Sequence, residues 1–235
     1  LKGVAKSGAE KDVQALLRRN LAHESERRRR VAMYLVGELK TTLLSKEVAA
    51  LLSAKEESVQ RRAAGVLAKL GSHAGDGVLL KWLEQPDNEL HVMAALGTLL
   101  GLKSDCYAAV RPLLDHPLIS VRSRLATLLG KHAEAFGPAV QEDLIQRTGS
   151  VRALRTLLDA VARAKLPVGD RAVETTMLLL EHEDWGMRAD AARVLWHAAK
   201  HEDIAEEERE RILTKLSARA LVEKDPYVRF WLEKP

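Results

Sequence analysis

The sequence predicts an all-α fold, a right-handed α-α superhelix of about seven helix pairs, and three observations predict it. The first is a repeat. Glu57-Ser58-Val59-Gln60-Arg61-Arg62-Ala63-Ala64 recurs as Asp87-Asn88-Glu89-Leu90-His91-Val92-Met93-Ala94-Ala95, Ser120-Val121-Arg122, Ser150-Val151-Arg152, Asp184-Trp185-Gly186-Met187-Arg188 and Asp225-Pro226-Tyr227-Val228-Arg229. The anchors Val59, Leu90, Val121 and Val151 follow one another at intervals of 31, 31 and 30 residues, and the later gaps to Met187 and Val228 widen to 36 and 41. A fixed period of this size marks a stack of one supersecondary unit. The second is composition: aromatics are 4% and charged residues 30% of the chain, with helix formers dominating. The third is the lack of alternating apolar runs and of Asn-Gly hairpin turns. A stack grows by addition, so residues 1–235 are expected to form a single repeat domain.

The elements follow in order. Val13, Leu16, Leu17 and Leu21 give one apolar stripe to a helix over 10–21. Ser25 is the expected cap of a helix running to 39 through Arg27-Arg28-Arg29-Arg30. Consecutive helical residues point about 100° apart, so the four arginines cannot all face one ligand, and a solvated first turn is the expected reading. A weak copy of the repeat is placed at Ser25-Glu26-Arg27-Arg28. Helices over 45–52 and 57–70 form the next pair, ended by Gly71 in the position after the helix. The segment from Gly71 to Gly77 lacks the Lys-Ser/Thr of a phosphate loop and reads as a turn. The third pair covers 78–83 and 89–100; its second helix is apolar all round (Leu90, Val92, Met93, Leu96, Leu99, Leu100), which predicts central burial or else an apolar patch. The fourth covers 106–114 and 120–129, with Pro117 blocking continuation. The fifth covers 138–146 and 151–164, and Leu166-Pro167-Val168-Gly169-Asp170 is the clearest loop signal. The sixth covers 171–181 and 186–199. A charged helix over 206–222 leads to a last one capped by Asp225, with Pro226 in its first turn. Exposed Phe230 and Trp231 there, and a first residue other than Met, suggest a piece of, or an open edge within, a larger protein.

The unit resembles a HEAT repeat, more closely the short HEAT-like variety found in phycobilin lyases and scaffold proteins. The residues that carry the likeness are the acidic-x-x-apolar-Arg turn and the Ala-containing helix after it, best seen at Asp184 to Ala192 and Asp225 to Arg229. Gln60 and His91 stand where that family usually has Arg, and Arg155 where a small residue is expected. The resemblance implies an armadillo-type α-solenoid serving protein–protein interaction as a scaffold.

No chemistry stands out. A nucleophile elbow is absent, and Cys106, the only cysteine, reads as a buried structural thiol. His197 and His201 share a helical face, but Ala198 stands where a zincin needs Glu, so no metal and no cofactor is expected. A single cysteine fits a reducing compartment, and no run of about 18 apolar residues exists to cross a membrane; a cytoplasmic address follows. Net charge is +4 with a pI near 9.2, which permits acidic partners without requiring nucleic acid.

Arg122, Arg152, Arg188 and Arg229, one after each anchor, are expected to form a ladder bridging repeats. Positions two, three and six after the anchor are expected to face the concave groove: Arg61 and Arg62, then Val92, Met93 and Leu96, then Ser123 and Arg124, then Asp190 and Arg193. That gives basic ends around an apolar centre, which suits an acidic or amphipathic partner protein better than a phosphate track. The expected function is non-enzymatic scaffolding. Two alternatives are carried: a DNA-binding role like that of HEAT-like alkylpurine DNA glycosylases, for which Trp185, Asp190, Arg193 and Trp196 are the right residue types, and a lyase- or chaperone-type role.

Overall fold

The computed structural model describes residues 10–83, 89–102, 107–147, 149–164 and 168–233. Fourteen α-helices and no strand occur among them. Their contacts divide the chain into two compact units, Leu1–Ser104 and Asp105–Pro235, where the sequence reading treats it as one domain. Asp87, Asn88, Cys106, Leu166 and Pro167 lie outside the described residues, as do the side chains of Leu90, His91 and Leu100.

Unit 1 contains α1 (Glu10–Leu21), α2 (Glu26–Leu39), α3 (Ser45–Ala50), α4 (Glu57–Lys69), α5 (Asp76–Leu83) and α6 (Glu89–Gly101). Second helices α2 and α4 pack side by side, with α1 and α3 behind them. The shared core is built from Leu17, Leu21, Met33, Val36, Leu44, Val48, Val59 and Leu67, all essentially inaccessible. The first helix of a pair is irregular. Thr42–Leu44, Leu51–Ser53 and His73–Gly75 are single 3-10 turns around α3 and before α5. Gly71 ends α4 as expected, at φ +76°, and the N–H of Ser72 reaches back to the carbonyl of Leu67 at 2.9 Å. That is a Schellman closure, and only glycine enters it without strain.

Unit 2 contains α7 (Tyr107–Val110), α8 (Ile119–Lys131), α9 (Ala133–Gln146), α10 (Val151–Arg163), α11 (Asp170–Leu179), α12 (Trp185–Ala199), α13 (Glu206–Val222) and α14 (Pro226–Leu232). Here α8, α10, α12 and α14 are the second helices, each packed on the next. Two boundaries differ from expectation. Pro112 breaks the predicted helix over 106–114 into the short α7 and a 3-10 turn, Arg111–Asp115. In contrast, α9 starts five residues before Pro138, which sits inside it. Its missing N–H removes one bond near the helix start, while Phe136, Val140 and Leu144 are buried and hold the segment helical.

The turn into each second helix repeats one construction. Arg29, Arg122 and Arg188 each donate to the carbonyls five and six residues back: His23 and Glu24, His116 and Pro117, His182 and Glu183. The imidazole Nδ1 of the same histidines accepts the N–H two residues on, from Ser25, Leu118 and Asp184. Gln60 donates to the carbonyl of Ala54, also six back, at 2.6 Å, so the glutamine departure keeps the contact. Arg229 donates to Glu223, six back again. The expected ladder between repeats is therefore partial. Arg188 bridges forward to Glu223, and Arg152 reaches Asp115 at 3.5 Å, but Arg122 and Arg229 staple their own turns. Arg29, which bridges to Glu56 at 2.8 Å, is the true first copy. It lies 31 residues before Gln60, directly after Ser25-Glu26-Arg27-Arg28 and in the register expected of that weak copy.

Candidate functional site

Open grooves run across second helices in both units. In unit 1 the run of four arginines splits by direction. Arg28 turns to the imidazole of His23 and Arg29 into its own turn. Arg27 and Arg30, three residues apart, face a groove between α2 and α4 with Val31, Tyr34 and Arg62. Across a second hollow of about 500 Å³, Arg30, Tyr34, Arg61, Arg62 and Lys69 face Gly97, Thr98 and Gly101 of α6. Val31 and Tyr34 are each 53% exposed. Opposing charge is sparse. Glu26 lies 3.6 Å from Arg30 and Glu38 3.4 Å from Lys69. Arg61 lies over the buried Trp82 ring, 6.0 Å from its centroid. Among the described residues no carboxylate pairs with Arg27 or Arg62.

The apolar centre expected from α6 is not on this face. Val92 and Leu96 are fully buried, and Met93 is half-buried outside the groove lining. Burial of Val92, Leu96 and Leu99 turns the opposite stripe, Gly97, Thr98 and Gly101, to the groove. Small residues one helical turn apart in a leucine-rich helix were the signal, and the count from the anchor missed it.

In unit 2 the corresponding positions are consumed by one another. Arg155 donates to Asp190 at 2.8 Å, Arg193 to Asp159 at 2.6 Å, and Arg163 lies 3.1 Å from Asp159. Burial pushes the Asp190 carboxyl up in spite of Arg155 and Arg193. Arg155, the apparent departure from the repeat, is thus the residue that ties α10 to α12. Asp190 and Arg193 do line a groove, of about 330 Å³, whereas Arg124 is exposed outside its lining. Trp185 stands apart from them, half exposed and edge-on to Tyr227 at 5.9 Å. The aromatic and acidic residues that base excision needs therefore do not share one pocket. Trp196 is half-buried beneath Lys200, 5.4 Å from the ring centroid. Among the described residues no cluster of three His, Cys, Asp or Glu could hold a metal.

The archaeal HEAT-like repeats protein from Thermococcus onnurineus NA1 matches with a TM-score of 0.52 and 16% identity, over 96% of this chain and 94% of that one. The fold is a HEAT-like α-solenoid. The solenoid is also similar to a chain in the complex of CpcE and CpcF of phycocyanin lyase from Nostoc sp. PCC7120, with a TM-score of 0.44, 16% identity and coverage of 93% and 86%. Human deoxyhypusine hydroxylase in complex with glycerol gives a TM-score of 0.39 and 14% identity, with coverage of 98% and 85%. No family model matches the solenoid, and no curated protein matches it in sequence. Among the described residues no helix is long and apolar enough to cross a membrane.

Proposed function

We propose that the solenoid is a non-enzymatic protein-interaction scaffold in the cytoplasm, and that the α2–α4–α6 face of unit 1 receives an acidic, amphipathic segment of a partner protein. The observation that carries this reading is the charge of Arg27 and Arg62, which no carboxylate among the described residues pairs, on either side of exposed Val31 and Tyr34. Cations left without carboxylates raise the local potential and steer an acidic partner. The apolar pair between them gives such a segment surface to bury, which a phosphodiester backbone does not use. Nucleic acid is the second reading. It is disfavoured within unit 2, where Asp159 and Asp190 occupy arginines that a phosphate track there would need.

The charge reversal Arg61→Glu/Arg62→Glu tests the assignment. Binding of a labelled peptide with Glu and Leu at helical spacing is expected to fall at least about tenfold, which corresponds to about 1.4 kcal/mol, with the helical circular dichroism unchanged. Undiminished peptide binding would remove this face as the docking site. Collapse of the helical signal would make the pair structural, and Arg27→Glu, on the exposed rim, would then take its place in the same titration.

A further inference from the structure

The groove of unit 2 carries a residue of charge that its ion-pair network does not cancel. Five arginines and two aspartates line it. Both aspartates are taken: Asp190 by Arg155, and Asp159 by Arg163 and Arg193. Arg122 and Arg152 remain, at the end formed by the first turns of α8 and α10. Arg122 spends one nitrogen on the carbonyls of His116 and Pro117. Its guanidinium is pushed below the usual arginine range by burial and then by the neighbouring charge of Arg152. Among the described residues Arg152 has only Asp115 as an ion-pair partner, at 3.5 Å with both side chains about half exposed. Two guanidinium groups thus line one end of the groove with the charge of Asp115 beside both, an arrangement whose remaining positive charge a multiply charged anion relieves.

The surroundings narrow the anion. Ile119 is 74% and Val151 41% exposed at the same end of the groove, so apolar surface flanks the cations. Leu118, the residue before α8, supplies no capping side chain, which leaves the positive end of that helix available to negative charge. A few residues along, Asp159 and Asp190 hold Arg155, Arg163 and Arg193 in ion pairs, which leaves those cations unavailable to a continuous phosphodiester strand. A single dianionic monoester with an apolar neighbour fits at Arg122 and Arg152 without passing the aspartates.

We propose that this end of the unit 2 groove binds a phosphorylated serine or threonine of a partner protein, with Arg152 and Arg122 as phosphate ligands and Ile119 and Val151 against an adjacent apolar residue. Asp115 competes with the phosphate for Arg152. The site is separate from the acidic-segment face of unit 1, so either can fail alone.

The test is fluorescence anisotropy of the full chain with a labelled peptide holding one phosphoserine between leucines, against the same peptide with serine and against a DNA duplex, in near-physiological salt. The phosphopeptide is expected to bind at least about tenfold more tightly than its serine parent. Arg152→Gln is expected to remove most of that difference without changing the melting temperature, because its ion-pair partner Asp115 is exposed. Asp115→Asn is expected to tighten binding by freeing Arg152. The phosphate loses its second charge near pH 6, so affinity should fall between pH 7.5 and 5.5. A methyl phosphodiester version of the peptide should lack that fall, which separates the ligand's titration from any change in the protein's own groups. Equal binding of the phosphorylated and unmodified peptides would overturn the proposal, and so would indifference to both variants. Binding of the duplex as tight as the phosphopeptide, with the same dependence on Arg152, would replace it with the nucleic-acid reading.

Discussion

Glu223 joins three elements of unit 2 through one carboxylate that is 1% exposed. It accepts two hydrogen bonds from Arg188 of α12, at 2.8 and 3.0 Å, an ion pair from Arg219 of α13 at 3.0 Å, and the N–H groups of Lys224 and Asp225 before α14. The Arg188 hydrogen bond, aided by the Asp225 N–H and the charges of Arg188 and Arg219, holds its pKa down at about 2, from an ordinary 4.5. A carboxyl whose folded pKa is depressed adds stability above its unfolded pKa and loses it as pH falls through the folded one. Glu223 therefore contributes about 3 kcal/mol at neutral pH, lost between about pH 4.5 and 2. Urea unfolding is expected to show unit 2 weakening over that window, and Glu223→Gln should flatten the dependence while costing about 3 kcal/mol at pH 7. A similar contrast separates neighbours in the arginine run. Arg29→Ala should destabilise unit 1 by about 2 kcal/mol, because its inward guanidinium satisfies two turn carbonyls and Glu56. Arg27→Ala should stay within about 0.5 kcal/mol. The sequence shows four identical residues there; which one turns inward depends on the histidine six positions before it, a spacing legible only once His23, His116 and His182 are set beside their arginines.

At the scale of elements, the second helices were the legible half of each pair. They are continuous, begin at recognisable caps such as Asp184 and Asp225, whose carboxylates accept the N–H of Met187 and of Tyr227 and Val228, and bury one clear stripe. The first helices were less legible because 3-10 turns break them and propensity distinguishes those turns poorly from α-helix. Packing between second helices is close enough to set one testable constraint. A Cβ on Gly130 of α8 would lie 2.5 Å from the Cβ of Arg163 in α10 and 3.1 Å from the carbonyl oxygen of Ala160. Gly130→Ala is expected to cost about 1–3 kcal/mol despite its better helix propensity, and thermal unfolding of the variant checks it. The groove-facing stripe of α6 was misjudged for a related reason. Counting from the anchor assumes one rotation for every repeat, whereas burial of Val92, Leu96 and Leu99 sets it for this one.

Across the whole molecule, the period gave the architecture, and the charge pattern gave only the proposal of an acidic partner. Sequence spacing brought Arg61 and Arg62 to a groove, as it did Asp190 and Arg193. What it could not show is that the second pair is neutralised by Arg155 and Asp159, residues 35 and 34 positions from their partners, while among the described residues no carboxylate pairs with Arg62. The central claim is that this charge on unit 1 selects an acidic protein segment over nucleic acid. It is tested most directly by competing a labelled Glu/Leu helical peptide against a DNA duplex, from low to near-physiological salt, with the wild-type chain and with Arg62→Glu. Peptide binding is expected to persist at the higher salt, to depend on Arg62, and to resist displacement by the duplex. Binding that vanishes with salt for both ligands, or duplex binding that survives it and outcompetes the peptide, would contradict the claim.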